Sequence, residues 1–90
     1  MTIRLVVSIE ALPGKSGDVI ASSSKRGPVV RQQPGCLEFE MYQSVERPDR
    51  FMLMERWADE KALHAHWATI PNSSGAIPTR RIIETERYET

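Results

Sequence analysis

Leu37-Glu38-Phe39-Glu40-Met41-Tyr42, then Arg47-Pro48-Asp49, then Phe51-Met52-Leu53-Met54-Glu55-Arg56-Trp57 is the stretch that decides the fold. In the first run apolar and polar side chains alternate with period two, as they do along a strand buried on one face. Arg-Pro-Asp is a turn. The second run is apolar on both faces until Glu55 and Arg56, the pattern of a central strand covered on both sides. Two strands joined by a short turn make a hairpin.

Upstream of that hairpin, Ile3, Leu5, Val7 and Ile9 alternate with Arg4, Val6, Ser8 and Glu10, so residues 2–10 read as a first strand, ended by Pro13-Gly14. Val19, Ser23, Arg26 and Val30 recur at helical spacing. Ser22-Ser23-Ser24 forms helix poorly, and Gly27-Pro28 is expected to break or kink it, because proline lacks an N–H and clashes with the preceding turn. A first helix is therefore expected to about residue 26, with a further turn starting near Pro28. Pro34-Gly35 is the next turn. Downstream, Asp59 can cap a second helix whose apolar stripe is Ala62, Leu63, His66, Trp67 and Ile70, with Pro71 as its stop. Residues 71–80 read as a loop, and Arg81 to Tyr88 as the last strand.

The order strand, helix, strand, strand, helix, strand is the ferredoxin-like βαββαβ arrangement, an α+β fold in one domain over residues 1–90. It puts both helices on one face of a four-stranded antiparallel sheet. The other face is expected to carry Val6, Ile83 and either Met52/Met54 or Phe51/Leu53. Apolar area left in water costs about 25 cal/mol per Å². A second copy of the same sheet is the simplest cover, so a homodimer is expected.

Twelve basic and twelve acidic side chains cancel in this 90-residue chain, and no charge block stands out. Neither nucleic acid nor an anionic membrane fits as the main partner; a small, weakly polar ligand fits better. Cys36 is the only cysteine, so no internal disulfide can form, which suits a reducing cytoplasm. The apolar run from Leu5 to Ile9 is too short for a signal peptide, and nothing approaches the ~20 residues of a membrane span. No cysteine pair or His-x-x-x-His pattern offers a metal site, and there is no glycine-rich phosphate loop or dinucleotide fingerprint.

Pro34-Gly35-Cys36-Leu37-Glu38-Phe39-Glu40-Met41-Tyr42, Arg50-Phe51-Met52-Leu53-Met54-Glu55-Arg56-Trp57 and Ala62-Leu63-His64-Ala65-His66 together resemble the antibiotic biosynthesis monooxygenase domain family. The Glu-Arg-Trp ending, followed by a capping residue and an Ala-Leu-x-x-His helix, carries most of the likeness, which spans roughly residues 3–70. The resemblance implies a dimeric α/β barrel with a ligand pocket between helices and sheet. It also implies oxidation of phenols, quinols or polyketide intermediates by dioxygen with no metal or flavin cofactor. Relatives on the same fold degrade haem, isomerise small molecules or have no known reaction. Two departures stand out: Pro71-Asn72 replaces a Pro-His pair, and a short loop, 73–80, replaces a further helix that would lid the pocket. Gly27-Pro28 inside the first helix is also unusual.

His66 is the leading candidate for catalysis. On the inward stripe its imidazole is desolvated, which favours the neutral, proton-accepting form; the alternative is a core histidine satisfied by one hydrogen bond. His64, two positions away, belongs on the outer face. Trp67 is a candidate aromatic wall for a flat ligand, or plain core packing. Trp57 reads as a packing anchor under the second helix. Glu55, in an otherwise apolar strand, needs a partner: it is a candidate base or substrate contact, or one half of a structural pair with Arg87 or with Arg56 of a second copy. Tyr42 and Asn72 are candidate polar contacts to substrate, Ser8 is small enough to leave room for ligand or partner, and Cys36 reads as packing.

These residues and the resemblance lead to one main expectation: a cofactor-independent monooxygenase acting with dioxygen on a small aromatic, phenolic or quinone-like molecule. Two alternatives share the fold. One is a non-catalytic dimer that binds a small metabolite or serves a stress role. The other is a haem-binding and haem-degrading protein, although the first strand lacks the asparagine of those relatives.

Overall fold

Ile3, Leu5, Val7, Ile9 and Ala11 are all buried, and the residues between them are half-buried, so β1 (Ile3–Ala11) has the two-faced pattern its sequence dictates. It is followed by α1 (Ser16–Arg31), β2 (Cys36–Gln43), β3 (Arg50–Trp57), α2 (Glu60–Trp67) and β4 (Arg80–Glu89). This computed structural model describes residues 1–70 and 79–90. The sheet order is β2-β3-β1-β4 with every neighbour antiparallel, and both helices pack on one face. The fold is the ferredoxin-like α+β arrangement. Among the described residues no helix is long and apolar enough to cross a membrane.

The core lies between sheet and helices. β1 gives it the five residues above, β3 gives Phe51, Leu53 and Trp57, α1 gives Val19 and Val30, and α2 gives Leu63. Phe51 and Leu53 therefore point inward, and Met52 and Met54 share the open face with Val6 and Ser8, their register partners on β1. Ile83 comes beside Ser8 and Met52 on that face. There, Arg4 pairs with Glu38 at 2.9 Å, reaching over Arg56 on the strand between them. Glu10 sits between Arg81 and Arg50.

Three expectations about individual elements are corrected. α1 does not end near residue 26: it runs unbroken through Pro28 to Arg31. Pro28 falls on the exposed side, where it withholds one helical N–H but forces no side chain out of the core. Burial of Val30, two residues on, keeps the helix on course. Arg31 adds a tether by donating to the Phe39 carbonyl at 2.7 Å, with its guanidinium packed across Gly27. Leu37 does not continue the inward row of Phe39 and Met41. A register shift between Cys36 and Glu38 makes it the extra residue of a bulge, and it is more than half exposed. α2 stops at Trp67, short of the expected stripe, and a tighter turn to Ile70 follows. Pro71, offered as its stop, lies outside the described residues.

Two local devices place α2. Asp59 accepts from the Ala62 N–H at 2.8 Å, as an N-cap should. Gly35, at φ +81°, lets the turn before β2 pass close beneath the helix, where a Cβ would sit 2.4 Å from the Cβ of Ala62. Its carbonyl accepts from the Ala58 N–H at 2.8 Å. Both contacts hold the first turn of α2 against the start of the hairpin.

Candidate active site

α2 presents Leu63 and His66 to the core because they are three residues apart on one helical face. His66 is 4% exposed. Its ring lies against Trp57, at a centroid distance of 4.6 Å and 25° between planes, and Phe39 meets it edge-on at 5.6 Å. Its Nδ1 is 2.8 Å from Oε1 of Gln33, which lies two residues past the end of α1. Among the described residues Nε2 has no hydrogen-bond partner. Burial, reinforced by the positive charge of Arg26, holds the imidazole below its ordinary pKa, so the ring is neutral at neutral pH and one of its nitrogens carries a free lone pair.

Behind that ring a small polar network closes. Thr69 Oγ1 lies 2.7 Å from the His66 carbonyl oxygen, 3.3 Å from Gln33 Nε2 and 3.1 Å from Arg26 Nη2. On the sheet side, Trp57 is fully buried and its indole N–H donates to Glu55 Oε1 at 2.9 Å. Burial pushes the Glu55 carboxyl up, and the indole donor partly offsets this. The result is a continuous series of contacts from Glu55 through Trp57 and His66 to Gln33.

The other candidates are dispersed. Trp67 turns away from the core: it is 45% exposed and stacks on His64 at 5.3 Å, while His64 pairs with Glu60 at 3.2 Å. The ring against His66 is instead Trp57. Tyr42 is about half exposed and lines a shallow hollow of about 260 Å³ on the open sheet face with Ser8, Met52 and Ile83. Glu55 is not paired with Arg87, which binds Glu60 and Glu89. Asn72 lies outside the described residues. Cys36 is half-buried against the core, and burial pushes its thiol up, away from the reactive thiolate. Among the described residues no group of histidine, cysteine and acidic side chains converges as a metal site would require.

Sequence reasoning missed Gln33, Thr69 and Arg26; Trp57, read as a packing anchor under the second helix, is fully buried there against His66. A signal for two of them exists: Arg26, Val30 and Gln33 recur at i, i+4 and i+7, so a helix carried through Pro28 brings Gln33 under the same face as Val30. A groove of about 340 Å³ runs between α1 and the hairpin and is lined by Ser23, Arg31, Glu40, Met41 and Phe51, away from His66.

A model of the antibiotic biosynthesis monooxygenase family matches residues 2–70. No curated protein matches the sequence. Among solved structures, a Bacteroides thetaiotaomicron protein of unknown function superposes with a TM-score of 0.85 at 23% identity, covering 99% of this chain and 97% of its own. A Shewanella oneidensis protein gives 0.84 at 25% identity, over 97% of this chain and 88% of its own. SnoaB, a cofactor-independent oxygenase from Streptomyces nogalater solved as a point variant, gives 0.82 at 12% identity, over 99% and 92%.

Proposed function

The chain belongs to the antibiotic biosynthesis monooxygenase family, and on that premise we propose that it oxidises a small phenolic or quinol-type molecule with dioxygen, without metal or flavin, as a homodimer. The observation that carries this reading is the neutral His66 imidazole, buried against Trp57 and held by Gln33. A phenol reacts sluggishly with dioxygen until it loses its proton; the phenolate is electron-rich enough to supply the reducing electrons itself. The protein then has to take one proton, exclude water and hold the ring beside dioxygen. One oxygen atom enters the ring as the new quinone carbonyl, and the other leaves as water with one ring hydrogen and the phenolic proton.

His66 is the proton acceptor in this reading, and its depressed pKa keeps it available near neutrality. Trp57 backs the imidazole with a flat apolar face. Glu55 acts through its hold on the Trp57 indole, whereas Trp67, stacked on His64, and Tyr42, on the open sheet face, stand away from a substrate at His66; Asn72 is a secondary candidate for substrate contact. The second copy covers the open sheet face at Val6, Met52, Met54 and Ile83. A non-catalytic binding protein is the competing reading, favoured by the position of the 340 Å³ groove between α1 and the hairpin, away from His66.

Dioxygen uptake with a panel of phenols and quinols in metal-free buffer tests the proposal. The wild type should turn over at least one, and His66→Gln, checked for folding by circular dichroism, should lose about 10²-fold or more in kcat. No uptake across the panel, with a stable ligand complex by mass spectrometry, supports the binding protein instead.

A further inference from the structure

The network behind His66 fixes where its protons lie. Thr69 Oγ1 and the His66 carbonyl oxygen are 2.7 Å apart. Two oxygens that close need a hydrogen between them, and a carbonyl has none to give. The Thr69 hydroxyl therefore donates to the carbonyl and has only lone pairs left for its other neighbours. Arg26 Nη2, at 3.1 Å, can only donate, which is consistent. The side-chain amide of Gln33 must then offer Thr69 its NH2 group, at 3.3 Å. Its carbonyl oxygen is left facing His66 Nδ1 at 2.8 Å. An oxygen there accepts, so Nδ1 carries the proton.

We infer that Thr69 and Gln33 are positioning residues that set the tautomer of His66, placing its proton on Nδ1 and leaving the Nε2 lone pair to take a proton from substrate. The opposite amide orientation fails on the same inventory: the Thr69 hydroxyl cannot serve the Gln33 oxygen and the His66 carbonyl at once. One of the two oxygen–oxygen contacts then has no hydrogen in it. Gln33 comes from the end of α1, whereas Thr69 and His66 sit on α2 and the turn after it, so the packing of the two helices chooses the reactive nitrogen. The catalytic meaning of this assignment rests on the reading of His66 as the base; the tautomer itself does not.

Nitrogen-15 chemical shifts of the imidazole, read through long-range proton–nitrogen correlation above the pKa of His66, test it directly. The wild type should show Nδ1 as protonated and Nε2 as lone-pair nitrogen. Thr69→Val removes the hydroxyl that orients the Gln33 amide, so both shifts should move toward the average of the two tautomers. Thr69→Ser, which keeps the hydroxyl, should restore the wild-type pair, and Thr69→Ala should repeat the valine result. A wild-type Nε2–H tautomer, or unchanged shifts in both Val and Ala variants, overturns the inference. The expected tautomer in a protein that consumes no dioxygen supports it and counts against the oxygenase reading.

Discussion

The imidazole of His66 and the indole of Trp57 lie nearly parallel, 4.6 Å apart, one from α2 and the other from the end of β3. The contact joins packing to chemistry. Trp57 has its N–H satisfied by Glu55 and its face against the one buried histidine. Trp57→Phe shrinks a fully buried indole to a phenyl ring and removes the only donor to Glu55 among the described residues. It should destabilise the chain by about 2–4 kcal/mol, combining a core void with an unsatisfied buried acceptor. Denaturant unfolding read by far-ultraviolet circular dichroism measures it; a loss under about 1 kcal/mol would contradict the account.

The pH dependence has opposite signs at the two buried titratable groups. The folded pKa of His66 lies below its ordinary value, chiefly from burial and then from the charge of Arg26. It therefore contributes stability that is present above about pH 6.5, the unfolded value, and is lost as pH falls through the folded pKa. His66→Gln should flatten this acid-side loss. Arg26→Gln should raise the His66 pKa, as read by a proton NMR titration of the ring.

Glu55 runs the other way. Burial raises its folded pKa above the ordinary value of 4.5, so its stabilisation is complete below that value and is lost as pH rises through the folded pKa. Glu55→Gln keeps an oxygen for the Trp57 N–H and removes the ionisable group. The variant should be more stable than wild type at pH 7 and lose that advantage below about pH 4, as followed by thermal unfolding across pH.

Gly35 has both a positive φ and no room for a Cβ, which would lie 2.4 Å from that of Ala62. Gly35→Ala should cost about 2–4 kcal/mol from overpacking and backbone strain. Adding Ala62→Gly should relieve the collision but leave the strained φ and add about 1 kcal/mol of helix cost, so the rescue should be partial. Full rescue would show that the backbone angle contributes nothing.

The proposed dimer depends on the row Val6, Met52, Met54 and Ile83. Met54→Lys places a charge at its centre and should convert a dimer to monomers in sedimentation velocity at micromolar concentration, with the far-ultraviolet spectrum retained. A wild-type chain that is monomeric at the same concentration would remove that part of the proposal.

Much of the site was hidden for a definable reason. His66 could be placed inward because helical spacing ties it to Leu63. Trp67 follows the same rule on paper, yet it falls on the edge of that stripe, away from the line through Leu63 and His66, and its indole finds His64 instead. Gln33 was out of sight because Gly27-Pro28 ended the expected helix too early. A local penalty at Pro28 is outweighed by burial of Val30, and no single-residue propensity contains that comparison.

The sequence by itself determined the element order, the inward row of β1, the hairpin, the cap at Asp59 and the inward face of His66, because each follows from periodicity or from a side chain acting within one turn of its own backbone. Only the tertiary structure decided that Phe51 and Leu53 rather than Met52 and Met54 face the helices, that Trp57 rather than Trp67 backs the imidazole, and that Gln33 lies against its Nδ1. Those choices depend on how two helices and a sheet divide a shared volume and a limited set of hydrogen-bond donors, and that competition is settled between segments far apart in the chain.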